Sequence, residues 1–179
     1  MKDKLRRTIH ILFAMIAGAF VVQACLPSAA PTLRYTTNDK RLYQALLAAQ
    51  KEFISKGIVI ARQIIITMNG HGLKVLFSPI NEINERCETE VSNLYGCTNY
   101  ADANYNAADM WIRDDFSGAH LLHIILHEMI HALCPGIPHM APEKYGIFTL
   151  VQSDGIELTN DDLEHLSQYL VVDWPEVTT

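Results

Sequence analysis

The chain has 179 residues, enough for one domain with a real core and too few for two of ordinary size. Its apolar fraction of 49% and charged fraction of 19% are those of a globular protein, and no repeat or low-complexity stretch argues otherwise. The formal net charge is −6; residues 1–24 hold four of the 14 basic residues and one of the 20 acidic ones, so the remainder carries −9. Phosphate contacts need clusters of Lys and Arg, and this acidic remainder has none, so no nucleic-acid partner is expected.

At the N-terminus, Lys2, Lys4, Arg6 and Arg7 precede an apolar run from Ile9 to Val22, and the small residue Ala24 follows. A basic start, a short apolar stretch and a small residue at the break form the pattern of an export signal. The run is short for a membrane span, although a permanent N-terminal anchor helix is the alternative reading. Val22-Gln23-Ala24-Cys25 resembles the lipobox of bacterial lipoproteins. That resemblance implies a signal peptide over 1–24, lipid on Cys25 and attachment to a membrane of the bacterial cell envelope, at the outer membrane or facing the periplasm. Cleavage after Ala24 or Ala30 without lipid is the other outcome. Residues 25–37, rich in Pro, Ser, Ala and Thr, read as a tether, and 38–179 as the folded domain.

Asn38 or Asp39 is placed to cap a helix carrying Leu42, Leu46, Ala49 and Phe53 at helical spacing, and Gly57 lies just past its end. The β-branched run Ile58–Met68 predicts a strand, and Leu73–Phe77 a second. Asn69-Gly70 between them is a turn signal that suggests a hairpin. Residues 79–106 read as a loop-rich excursion with one short strand at most. Cys87 and Cys97 lie within it and are candidates for a disulfide, since export favours oxidation. Ala108–Arg113 alternates as a strand. From Gly118 to Leu133 runs the most apolar helix, capped by Asp114, Asp115 or Ser117 and stopped by Pro135-Gly136. A last helix over about Asn160–Leu170 has Thr159 as its cap, and Trp174-Pro175 is read as a packing anchor.

The apolar helix contains His127-Glu128-Met129-Ile130-His131, the HExxH pattern. Residues four apart share one helix face, so His127 and His131 can reach one zinc ion. Glu128 points to the side where a zinc-activated water would sit and can serve as general base. Catalytic zinc takes three protein ligands, and His139 is next in line after the Pro135-Gly136 bend. Glu157, Asp161 and Glu164 of the last helix are rival third ligands, the arrangement found in gluzincins. His120 and His123 share the helix stripe with the pair, where lining the cleft or hydrogen-bonding to groups that support the ligands is the simpler role than a second metal. His71 and His165 read as solvent-facing, and Cys134 as a packing residue.

Taken together, these residues resemble the metzincin metallopeptidases, whose motif is HExxHxxGxxH. The resemblance implies zinc held by His127, His131 and His139, with Glu128 as the catalytic base acting on a peptide or protein substrate. It also implies an α+β fold, in which a small mixed sheet packs on an N-terminal helix and the buried metal-binding helix. Asp109-Met110-Trp111-Ile112 is similar to the family's edge strand, which would place Asp109 and Trp111 along the substrate cleft. Leu158–Leu163 is similar to the start of the closing matrixin helix. The chain departs from the pattern in three places. Cys134 stands at the Gly position, His139 comes two residues late, and no Met follows Met140, so the Met-turn is absent or falls to a residue within Ile147–Leu150. The competing reading is a zinc-binding envelope lipoprotein without catalysis, serving metal handling or binding. Glu128 speaks against it, because a storage site needs no base beside the metal. A third is a structural lipoprotein with an accidental motif.

Overall fold

A computed structural model describes residues 33–88, 94–100, 107–134, 136–140, 146–147 and 157–172. The expected signal, Cys25, most of the tether and Trp174-Pro175 lie outside them. The described elements are β1 (Arg34–Thr37), α1 (Lys40–Ser55), a 3-10 turn (Val59–Gln63), β2 (Ile65–Met68), β3 (Leu73–Ser78), α2 (Ile83–Arg86), β4 (Gly96–Tyr100), β5 (Ala107–Arg113), α3 (Gly118–Leu133) and α4 (Asn160–Leu166).

Five strands form one sheet in the order β2-β1-β3-β5-β4. All are parallel except β4, which runs antiparallel to β5 at the edge. The fold is therefore a mixed α/β arrangement with a five-stranded, mostly parallel sheet, in line with the expected small mixed sheet.

Asp39 starts α1 as expected: its carboxylate accepts from the backbone N–H of Arg41 at 2.7 Å and of Leu42 at 3.3 Å, satisfying donors the helix cannot. Leu42, Ala45, Leu46, Ala49 and Phe53 form its buried face. Both α1 and α3 pack on the same side of the sheet and on each other, α1 over β1 and β2, α3 over β4 and β5. Each large side chain sealed here contributes about 1.5–3 kcal/mol of burial. Tyr35, Met110, Ile112, Leu126, Met129 and Ile130 sit at the middle of this core. The segment around α4 is tied back once to α1 and once to the 3-10 turn. The backbone N–H of Leu158 donates to Glu52 Oε1 at 3.0 Å, and that of Val59 donates to the carbonyl of Val171 at 3.1 Å.

Four expectations are corrected. The fold begins inside the supposed tether, since Arg34–Thr37 is the second strand from the sheet's β2 edge, flanked on both sides. Ile58–Met68 is not one strand: a 3-10 turn occupies Val59–Gln63, and only Ile65–Met68 is extended. β2 and β3 are not a hairpin. They lie on opposite sides of β1, both parallel to it, and Asn69-Gly70 crosses it, with the Asn69 N–H donating to the Thr37 carbonyl at 3.1 Å and the Gly70 N–H to Thr36 Oγ1 at 2.9 Å. The tight turn is real, with Asn69 at φ 56°, but the pairing goes to a strand far upstream. Finally, the edge strand is β4, and β5 lies inside the sheet between β3 and β4.

Candidate metal centre

The motif sits where the sequence places it, on the last turns of α3. The helix ends with the Cys134 N–H on the Ile130 carbonyl at 2.9 Å. Gly136 then takes φ 77°, the left-handed region that glycine enters without the steric penalty of a Cβ. Ile137, next along, is buried, so the chain folds back against the core and returns His139 to the helix. The bend that the strict motif assigns to position 134 is thus made two residues later, matching the late third histidine.

The three rings converge. His139 Nε2 lies 3.0 Å from His127 Nε2 and 3.2 Å from His131 Nε2. Histidines 127, 131 and 139 form a cluster able to hold a metal ion, with one ligand atom from each mutually within 4.8 Å. Nitrogens bound tetrahedrally at about 2.0–2.1 Å would stand ~3.4 Å apart, so the separations fit such a site with little adjustment. His127 Nδ1 donates to the Ile147 carbonyl at 2.9 Å, which leaves Nε2 bare and aimed at the cluster. Burial, with the neighbouring histidines adding to it, pushes His127 down to about 3 against the pull of that carbonyl. Burial and His139 push His131 down to about 4. His139 is lowered by burial and by His165. All three rings are therefore neutral at pH 7, the form that ligates metal.

Glu128 is buried, and its Oε2 lies 3.0 Å from Thr98 Oγ1 on the edge strand. Burial pushes its carboxyl up to about 7, with the Thr98 hydrogen bond acting the other way. A carboxyl poised near neutrality suits proton transfer at physiological pH.

No carboxylate belongs to this cluster among the described residues. Glu157 is exposed and pairs with Lys56 at 3.8 Å, and Glu164 is exposed on α4. His120 is exposed beside Phe116, with ring centroids 6.3 Å apart, and His123 is buried; neither joins the three.

Asp109 and Trp111 do not line an edge. Side chains alternate across a strand, and Met110 and Ile112 point into the core beneath α3. Asp109 and Trp111 therefore project from the opposite face, where the Arg86 guanidinium stacks 5.2 Å from the Trp111 ring. The same alternation on β4 sends Thr98 and Tyr100 toward α3, and Cys97 and Asn99 toward α2. Cys97 bonds Cys87 with Cα atoms 5.8 Å apart, the bridge that the sequence suggested. Cys134 is disulfide-bonded too, which corrects its reading as a mere packing residue; its partner lies outside the described residues.

Sequence reasoning missed several groups around the cluster. The Tyr100 hydroxyl donates to the His131 carbonyl at 2.9 Å. Asp162, fully buried, accepts from the Ile147 N–H at 2.9 Å and from the Thr159 N–H at 2.8 Å. Ile147 is thus held at its N–H by Asp162 of α4 and at its carbonyl by His127. Within the segment proposed for a Met-turn substitute, Ile147 is the residue seen bonding a ligand histidine. His165, read as solvent-facing, is partly exposed and also bonds the chain beside His139. Thr159 caps α4 as expected and forms a capping box with Asp162; the further bond of Asp162 to the Ile147 N–H has no local signal in the sequence.

No protein-family model matches this chain, and no curated protein matches its sequence.

Proposed function

We propose that this chain is a zinc-dependent metallopeptidase of metzincin-like type. The observation that carries the reading is the convergence of three neutral imidazoles at 3.0 and 3.2 Å, two from the helix that also presents a buried Glu128 and one from the loop that follows it. Three nitrogen ligands suit zinc and leave a fourth position open. Zinc held there supplies Lewis acidity, lowering the pKa of water and polarising the carbonyl under attack. Glu128 takes the proton from the attacking water and returns it to the leaving amine. Among the described strands β4 is the outer one beside α3, and its backbone groups would receive an extended peptide substrate.

Export to the bacterial envelope belongs to the same reading. The Cys87–Cys97 bridge supports an oxidising compartment. Cys25 is the one cysteine besides these two and Cys134, so lipid on Cys25 and a Cys25–Cys134 bridge are exclusive results of a single mass measurement on the exported chain.

The deciding experiment is Glu128→Gln in the zinc-loaded protein. Elemental analysis should find one zinc per chain in both forms. Cleavage of fluorescein-labelled casein should fall by roughly a hundredfold or more in the variant. Zinc without any hydrolysis in the wild type would favour a metal-binding envelope protein, and absence of zinc would remove both readings.

A further inference from the structure

We propose that Thr98 is a positioning residue for the base: its hydroxyl, delivered by the edge strand, holds one oxygen of Glu128 and leaves the other to face the reacting water. The inference rests on the hydrolase reading above and adds a residue that the HExxH motif does not contain.

The close approach of α3 to β4 makes the contact. A Cβ at Gly96 would stand 3.0 Å from Ile112 Cδ1, Ile124 Cγ2 and the Trp111 carbonyl, so a larger residue there would press the helix off the strand. At that separation Thr98 Oγ1 lies 3.0 Å from Glu128 Oε2 and 3.0 Å from the Glu128 carbonyl oxygen. The single hydroxyl proton serves one of these two acceptors at a time, and the Thr98 side chain, lodged between the backbone and the carboxylate of the same residue, limits the rotation of that long side chain.

The strand carrying Thr98 is itself pinned. Thr98 pairs with Met110 of β5. On the other face, Cys97 is bonded to Cys87, and Asn99 Nδ2 donates to the Arg86 carbonyl at 2.7 Å. Both neighbours of Thr98 are therefore fixed, and its branched Cβ limits its rotamers. Thr98 engages Oε2, and Oε1 remains as the oxygen to accept the proton. Substrate lying along β4 would be placed by the same strand that aims the base, so peptide and carboxylate share one frame.

The test compares Thr98→Val, which keeps the shape and loses the hydroxyl, with Thr98→Ser, which keeps the hydroxyl. All forms are zinc-loaded, and the probe is a quenched fluorescent peptide selected from a library by the wild type. The Val variant should lose roughly tenfold or more in kcat, as expected for a hydrogen bond to a charged group, with KM and zinc content unchanged. The Ser variant should recover to within about threefold of wild type. Thr98→Ala should share the loss and serves if the Val variant fails to fold. Wild-type kcat in the Val variant, or equal losses in Val and Ser, overturns the positioning role while the hydrolase reading stands. No hydrolysis by the zinc-loaded wild type overturns that reading and the role of Thr98 with it.

Discussion

His165 donates from Nε2 to the carbonyl oxygen of Pro138 at 2.8 Å, one residue before the third histidine of the cluster. A carbonyl can only accept, so the ring's Nε2 carries the proton. This bond ties the loop that brings His139 to α4, and α4 in turn holds Ile147, whose carbonyl orients His127. Replacing His139 by Ala should abolish stoichiometric zinc binding. His165→Ala should leave the helix content intact and weaken zinc affinity by roughly 10–100-fold, measured by competition with a chromophoric chelator. Unchanged affinity would mean that the loop holds His139 without α4.

The raised pKa of Glu128 has a consequence for stability in the metal-free protein. Its carboxyl moves from 4.5 to about 7 on folding, through burial first. Below pH 4.5 it is neutral in both states and costs nothing. As the pH rises toward 7, the unfolded chain ionises first, and folded stability declines by up to about 3 kcal/mol. Glu128→Gln has no such loss. Its stability relative to wild type, from urea unfolding of chelator-treated protein, should therefore climb between pH 4.5 and 7 and then level off. A difference that is flat with pH would show that Glu128 is not desolvated.

The Cys87–Cys97 bridge closes a separation of 10 residues and fastens β4 to α2. Chain entropy assigns such a loop about 2–3 kcal/mol. The double variant Cys87→Ser, Cys97→Ser should lose stability on that order, and hydrogen exchange should quicken at Gly96–Tyr100 before it does in β3 or β5. Uniform acceleration across the sheet would place the contribution elsewhere.

Tyr35 is fully buried in β1, and its hydroxyl has no hydrogen-bond partner among the described residues. Burial, with Tyr100 nearby, raises its pKa well above the ordinary tyrosine value. Leaving a polar group unpaired in the core costs about 1–3 kcal/mol. Tyr35→Phe should be neutral or stabilising, with a melting temperature equal to or above wild type, whereas a marked drop would reveal a partner for the hydroxyl.

The elements read best from sequence are those whose signal is local. Periodicity and stop residues located α3 at Gly118–Leu133, and the Asp39 and Thr159 side chains marked their helix starts. His127, Glu128 and His131 are legible for the same reason, since a helix puts positions four apart on one face whatever surrounds it. His139 required only that the chain turn back, which Gly136 permits.

Strand partners were the harder matter. Arg34–Thr37 is too short and too close to a Pro-rich stretch to announce itself, and without it the Asn69-Gly70 turn reads as a hairpin. Pairing is a contact between residues distant in sequence, and only the assembled sheet decides that β4 takes the edge and β5 the interior. That choice turned Trp111 away from α3 and brought Thr98 to Glu128. The amino-acid order alone therefore established the helix, its imidazole pair and its acidic neighbour, because those depend on i,i+4 geometry. Tertiary packing settled which strand, which carbonyl and which distant histidine surround them, because each is reached across the fold and leaves no local pattern.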